Sequence, residues 1–240
     1  MKALLCLLWL VVSSVSAGDI HGGTILAMRG KDCVLIATDS RFSSYKTGSF
    51  LLGEYARPMF RVGSRTIVGC IGLDSDAHAL REAVTEQLSA HDDACIEPDA
   101  VVRVVSNILY RTRMYVTPVV IGLDSRRGPC ISSMDGLGAL TCPDAFAVCG
   151  TASSALYAIC ESVFRPGMDD EQLMAAAQRA LELALRRDVL SGRRVQLLLM
   201  RPAKDTDKVE AGAAAGAGGE TVEGAFSVVE VRRTFQTDDV

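Results

Sequence analysis

GGTILAMRGKDCVLIATDSR, residues 22–41, decides the fold. It reads as two apolar β-strands, 24–29 and 33–38, joined by the tight turn Gly30-Lys31-Asp32. The second strand delivers a polar triplet, Asp39-Ser40-Arg41. Both strands are apolar on both faces and do not alternate, which is the pattern of strands buried on both sides. The hairpin therefore needs a covering layer above and below.

Working outward, a polar loop is expected over 43–53. MFRVGSRTIVGCIG, residues 59–72, follows as a second hairpin broken at Gly63-Ser64-Arg65. Ala77, Leu80, Val84 and Leu88 recur at helical spacing, with Asp74 or Ser75 as the expected N-cap. Pro98 suits the first position of a second helix, where no N–H is needed, and Val101, Val104, Val105, Ile108 and Leu109 form its buried stripe. Strands are expected at 117–123, 130–134 and 145–148. Thr151 then reads as the cap of a third helix carrying Ala152, Leu156, Ile159 and Val163, ended by Pro166-Gly167. Asp169 and Asp170 open a fourth, Arg186 and Arg187 close it, and both signs suit the helix dipole. Gly192 stops it before an apolar strand at 195–200. Strands, two helices, strands, two helices, strands is the order that two stacked sheets with outer helical layers require. The expected class is α+β, a four-layer αββα sandwich.

The chain divides into an N-terminal extension (1–21), one domain (22–202), a Gly/Ala-rich insertion or linker (203–226) that contains AGAAAGAGGE at 211–220, and a last strand with its tail (227–240). SVVEVRRTF, residues 227–235, alternates and is expected to pair with 195–200. Residues 1–17 carry a short positive start, an apolar run and a Val15-Ser16-Ala17 cleavage-like end. They read as a secretory signal or as a pro-segment.

Composition excludes several function classes. A net charge of −4 with 5% aromatics leaves no footprint for nucleic acid. The eight cysteines form no CxxC pair, and Cys33, Cys70, Cys149 and Cys160 sit in apolar runs as reduced, buried thiols would. His21, His78 and His91 have no ligand spacing, and Asp74-x-Asp76 lacks the glycine of a calcium loop. No cofactor, metal or membrane partner is expected.

With that opening hairpin, the sandwich resembles the N-terminal nucleophile hydrolases and, within them, 20S proteasome β-type subunits. The likeness rests on residues 23–41, on Arg187-Asp188-Val189-Leu190-Ser191-Gly192, similar to that family's RDxxSG segment, and on the turn Cys149-Gly150-Thr151. Gly22-Gly23, Ala27-Met28-Arg29-Gly30-Lys31, Gly122-Leu123-Asp124 and Cys160-Glu161-Ser162 resemble the non-catalytic type-3 branch. The resemblance implies assembly with other β subunits in a seven-membered ring, and with α-ring subunits, in cytoplasm and nucleus.

An active member uses the hydroxyl of its first residue as nucleophile and its own α-amine as base, since that amine titrates near neutrality. In the family an Asp lies sixteen residues after that nucleophile. Asp39 then assigns the nucleophile's place to Gly23, which has no side chain. Asp39, Asp188 and Ser191 match family active-site positions and become structural relics. The rival frame places an active nucleophile at Thr24 after cleavage of Gly23-Thr24. It sets Asp39 one residue early and still lacks the family's Lys, whose place falls at Arg57 or Pro58, with Lys46 too far back. Three readings stand: a catalytically silent structural subunit, an active threonine peptidase through Thr24, and a secreted protein of the same fold.

Overall fold

A computed structural model describes residues 20–39, 41–44, 50–53, 58–188, 191–192, 194–203 and 228–236. The elements run β1 (Ile20–Gly22), β2 (Thr24–Arg29), β3 (Val34–Asp39), β4 (Phe42–Ser44), β5 (Phe50–Gly53), β6 (Met59–Val62) and β7 (Thr66–Leu73). Helix α1 (Asp74–Leu88), a single 3-10 turn (Asp93–Cys95) and α2 (Pro98–Thr112) follow. Next come β8 (Val116–Asp124), β9 (Gly128–Met134), β10 (Leu140–Thr141) and β11 (Phe146–Gly150). The chain continues with α3 (Ser153–Val163), α4 (Asp170–Leu185), β12 (Arg194–Pro202) and β13 (Val228–Gln236).

The strands form two antiparallel sheets. One has the order β11-β2-β3-β12-β13. The other runs β10-β9-β8-β7-β1-β4-β5, with β6 also paired to β7. Three apolar cores hold four layers together. Ile25, Ala27, Ile36, Ile67, Val119, Ile121 and Leu198 fill the space between the sheets. Leu26, Met28 and Leu35 turn the other way, onto Leu156 of α3 and Leu173 and Leu181 of α4. Val68 and Val120 pack on Leu80 and Val84 of α1 and Val105 and Leu109 of α2. The period-two geometry of a strand thus sends Ile25 inward and Leu26 outward, and both are fully buried. That is why residues 25–28 and 33–37 of the opening hairpin are apolar at every position. The expected αββα sandwich is the fold observed, and β12 pairs with β13 from Arg194↔Gln236 to Pro202↔Val228.

Three local expectations are corrected. The segment taken as a loop, 43–53, contributes to β4 and β5; strands of three and four residues are too short to show a period. Helix α1 has Leu73 at its N-cap with no side-chain bond, so neither Asp74 nor Ser75 caps it. Asp74 lies inside the first turn, where its charge faces the free N–H groups. Thr151 does not cap α3, whose N-cap is Ala152; its hydroxyl is bonded to Asp188 instead. Asp169 does cap α4, in a reciprocal box with Gln172.

Cys33, Cys70 and Cys160 are buried, and Cys149 is half-buried. Burial pushes the Cys70 and Cys160 thiols up to about 12. The extension 1–17, Lys46, Arg57 and the stretch 211–220 lie outside the described residues.

Ile36→Ala removes a fully buried side chain from between the sheets. It is expected to cost about 2–5 kcal/mol in urea unfolding, whereas Leu140→Ala, at a half-exposed edge position, changes stability by less than about 0.5 kcal/mol.

Candidate functional site

Four chain segments meet at one end of the five-stranded sheet. β3 ends there on Asp39, β2 begins there with Thr24, β11 runs into the Gly150-Thr151 turn, and the link from α4 to β12 brings Asp188, Ser191 and Gly192. Strand pairing fixes this meeting: Gly150 lies opposite Thr24, and Val195 opposite Asp39.

Asp39 is 1% exposed. The Thr24 N–H donates to its Oδ1 at 2.6 Å, and the Gly192 N–H donates to its Oδ2 at 2.5 Å. Its carboxyl is pushed up to about 6, chiefly by burial and in part by the nearby Asp188 charge, against the pull of the backbone N–H groups of Gly192, Thr24 and Arg41.

Around it lies a chain of hydroxyls. Thr24 Oγ1 is 3.0 Å from Ser191 Oγ and accepts from the Ala152 N–H at 3.2 Å. The Ser191 hydroxyl donates to Asp188 Oδ2 at 2.6 Å, and the Thr151 hydroxyl donates to the same oxygen. With its proton committed to Asp188, Ser191 must accept from Thr24. Arg41 ties in the same turn through Nη1 to the Ser191 carbonyl, 3.1 Å.

Gly23 precedes Thr24 with φ +74°, the left-handed region that favours glycine. A Cβ built there meets Asp39 Oδ1 at 2.9 Å, closer than real side chains approach. The Gly23 carbonyl accepts from the Thr151 N–H at 3.4 Å, and a Cβ on Gly150 would collide with that carbonyl. Two glycines therefore let the strand start, the turn and the carboxylate close up.

The structure brings together all five residues singled out in the sequence: Gly23, Thr24, Asp39, Asp188 and Ser191. Thr24 is 0% exposed, so no substrate carbonyl reaches its hydroxyl. As long as Gly23 stays joined to Thr24, the Thr24 nitrogen is an amide, which has no basicity to take a proton. The hydroxyl's acceptor side is held by the Ala152 N–H. The Pro58 carbonyl accepts from the Cys70 N–H at 2.7 Å, a structural tie. Thr151, read as a cap, and Gly192, read as a helix stop, are the members that sequence reasoning placed in other roles. The only signal for them was adjacency to the matched turn and the matched RDxxSG-like segment. Among the described residues no group of three or more His, Cys, Asp or Glu side chains is placed to hold a metal ion.

Residues 20–200 match the proteasome subunit family. The chain is 36% identical over 181 residues to the proteasome subunit beta type-3 of Saccharomyces cerevisiae, covering 72% of this chain and 86% of that one. It is 31% identical over 197 residues to the Drosophila melanogaster protein of the same name, covering 78% and 94%. It is 31% identical over 194 residues to that of Oryza sativa subsp. japonica, also covering 78% and 94%.

Two measurements check the site. Thr24→Val keeps the shape but leaves the Ala152 N–H without its acceptor, and is expected to cost about 1–3 kcal/mol in thermal or urea unfolding. For Asp39, the folded pKa near 6 exceeds the ordinary 3.8. The folded state then binds more protons in that window, so the stability this group adds is present below about pH 4 and lost as pH rises through about 6. Relative to Asp39→Asn, the parent is expected to gain on the order of 2–3 kcal/mol between pH 7 and pH 4. A difference that stays flat with pH contradicts the perturbed carboxyl.

Proposed function

This chain belongs to the proteasome subunit family, and from that premise we propose that it is a non-catalytic structural β subunit of the 20S core, contributing to protein degradation by assembly and not by chemistry. The observation that carries the reading is the position beside Asp39. A glycine stands where the family pattern needs a nucleophile, its Cβ position is already crowded by Asp39 Oδ1, and the next residue's nitrogen is an amide bonded to that carboxylate. In this reading Gly23 holds the nucleophile's place, and Asp39, Asp188 and Ser191 are relics that keep the family's strand-end geometry. The alternative nucleophile, Thr24, has its hydroxyl buried and bonded on both sides.

The partners in this reading are other β subunits in a heptameric ring and the subunits of an α ring, in cytoplasm and nucleus. Tyr110 and Tyr115 are 70% and 71% exposed, and Leu137 and Leu140 are about half exposed. Large aromatic side chains that remain on the surface suit a chain whose faces are covered by neighbours. We take residues 203–226 as an insertion between β12 and β13, whose pairing runs from Arg194↔Gln236 to Pro202↔Val228.

Native extracts fractionated by size are expected to carry the chain in a complex many times its own mass. A peptide epoxyketone that reacts with N-terminal threonine is expected to label other subunits of that complex and not this chain. Recovery as a lone monomer contradicts the assembly; covalent labelling of this chain contradicts the silence.

A further inference from the structure

Of the five large apolar or aromatic side chains that stay exposed among the described residues, four stand at one corner: Tyr110, Tyr115, Leu137 and Leu140. The corner is built from the C-terminal half of α2, the link to β8 and the turn between β9 and β10. The Ser106 hydroxyl of α2 donates to the Gly138 carbonyl at 2.8 Å. A Cβ on Gly136 would meet the Met114 carbonyl oxygen at 2.9 Å, so the turn also lies against the link. Leu137, between those glycines, is thus carried on a turn pinned on both sides. Tyr115 gives its N–H to Asp76 Oδ2 at 2.8 Å, and its carbonyl accepts from the Leu73 N–H at 2.9 Å. Leu140 is paired with Met134 of β9. These are bulky side chains on fixed backbone. Such groups anchor a partner well because little ordering remains to be done on binding.

Charge narrows the kind of partner. Arg103, Ser106 and Tyr110 follow one another at helical steps, so they share the face of α2 that borders the turn. Arg111 comes next, and Arg113 is the C-cap. All three arginines are exposed, and among the described residues none of them is in an ion pair. Arg103 and Arg111 stand about 12 Å apart along the helix, one on each side of Tyr110. Arg113 is the one described non-glycine residue with a positive φ, 53°, where glycine sits with less strain. The carboxylates tied into this corner are already engaged. Asp76 holds the Tyr115 N–H, and Asp135 Oδ1 accepts from the Leu137 and Ala139 N–H groups. An apolar strip flanked by cations is therefore left without a counter-charge from its own chain. We infer that this corner is a docking face for an acidic segment of a partner protein. That segment lays a bulky apolar side chain over Tyr110 and Leu137 and sets carboxylates against Arg103 on one side and Arg111 and Arg113 on the other. A guanidinium fork holds a carboxylate through two parallel N–H groups, and a tyrosine ring supplies apolar area at small entropic cost. The inference rests on the reading of the chain as a subunit of a larger complex and gives one of its faces a partner chemistry.

The test is photo-cross-linking in the native complex. The tagged full chain, with Tyr110 replaced by p-benzoylphenylalanine, is expressed in cells and irradiated, and the cross-linked peptide is sequenced by mass spectrometry. It is expected to belong to one partner sequence of net negative charge, with carboxylates on both sides of a bulky apolar residue. The same replacement at Leu137 is expected to reach the same sequence, and it decides the matter should the Tyr110 variant fail to fold. Adding Arg103→Glu and Arg111→Glu is expected to cut the yield about tenfold or more, because like charges then face each other. Arg179→Glu, on the exposed side of α4, is expected to leave the yield unchanged. Size fractionation of the same extract separates the two ways of failing. A chain that co-migrates with the complex yet gives no cross-link overturns the inference and leaves the subunit assignment standing. So does a cross-link to a neutral or basic sequence, to nucleic acid or to lipid, and so does a yield that the two arginine changes do not lower. Recovery as a lone monomer overturns both.

Discussion

A single buried carboxylate organises this end of the molecule. Asp39 accepts one N–H from Thr24 at the start of β2 and one from Gly192 in the turn that enters β12, 153 positions further along the chain than Asp39 itself. Burial of that charge is unfavourable and two short, charge-assisted hydrogen bonds offset it. The balance leaves a carboxyl whose proton equilibrium lies near 6, so it is mostly ionised at neutral pH and takes up a proton in mild acid. Because its Oδ1 points at residue 23, that position has no room for a side chain. The backbone there is left-handed, so glycine satisfies both constraints at once.

What surrounds Asp39 has the layout of a reactive site and the saturation of a structural one. Thr24, Ser191 and Asp188 form a one-way line of hydroxyl protons ending on a carboxylate, with Thr151 entering the same oxygen. In a peptidase of this fold a free amine would take the proton, and the hydroxyl would face a substrate. Here the nitrogen is an amide and the hydroxyl is sealed from solvent. The same hydrogen bonds that could have tuned a nucleophile now fasten β2, α3 and the α4–β12 link together.

Much of this was legible in the sequence, for reasons that differ between elements. Residues 24–38 announced a doubly covered hairpin because Ile25 and Leu26 are both apolar and the two faces pack on different layers. The start of helix α2 was placed to the residue because Pro98 needs no N–H partner there. The register at Gly23 followed from counting back from Asp39, and Thr24, Asp188 and Ser191 were read from the same resemblance. Thr151 was mistaken for a cap because its partner, Asp188, lies 37 residues away. β1, β4 and β5 escaped because each is too short for a periodic signal and exists through pairing with the others. β10, two exposed residues long, escaped for the same reason.

The central claim is that residue 23 remains part of the chain and that no nucleophile is unmasked behind it. Mass spectrometry of the chain's N-terminal peptide, taken from the assembled native complex, tests this most directly. The account predicts an N-terminal peptide that still contains Gly23 joined to Thr24. A mature chain beginning Thr24-Ile25 would contradict it.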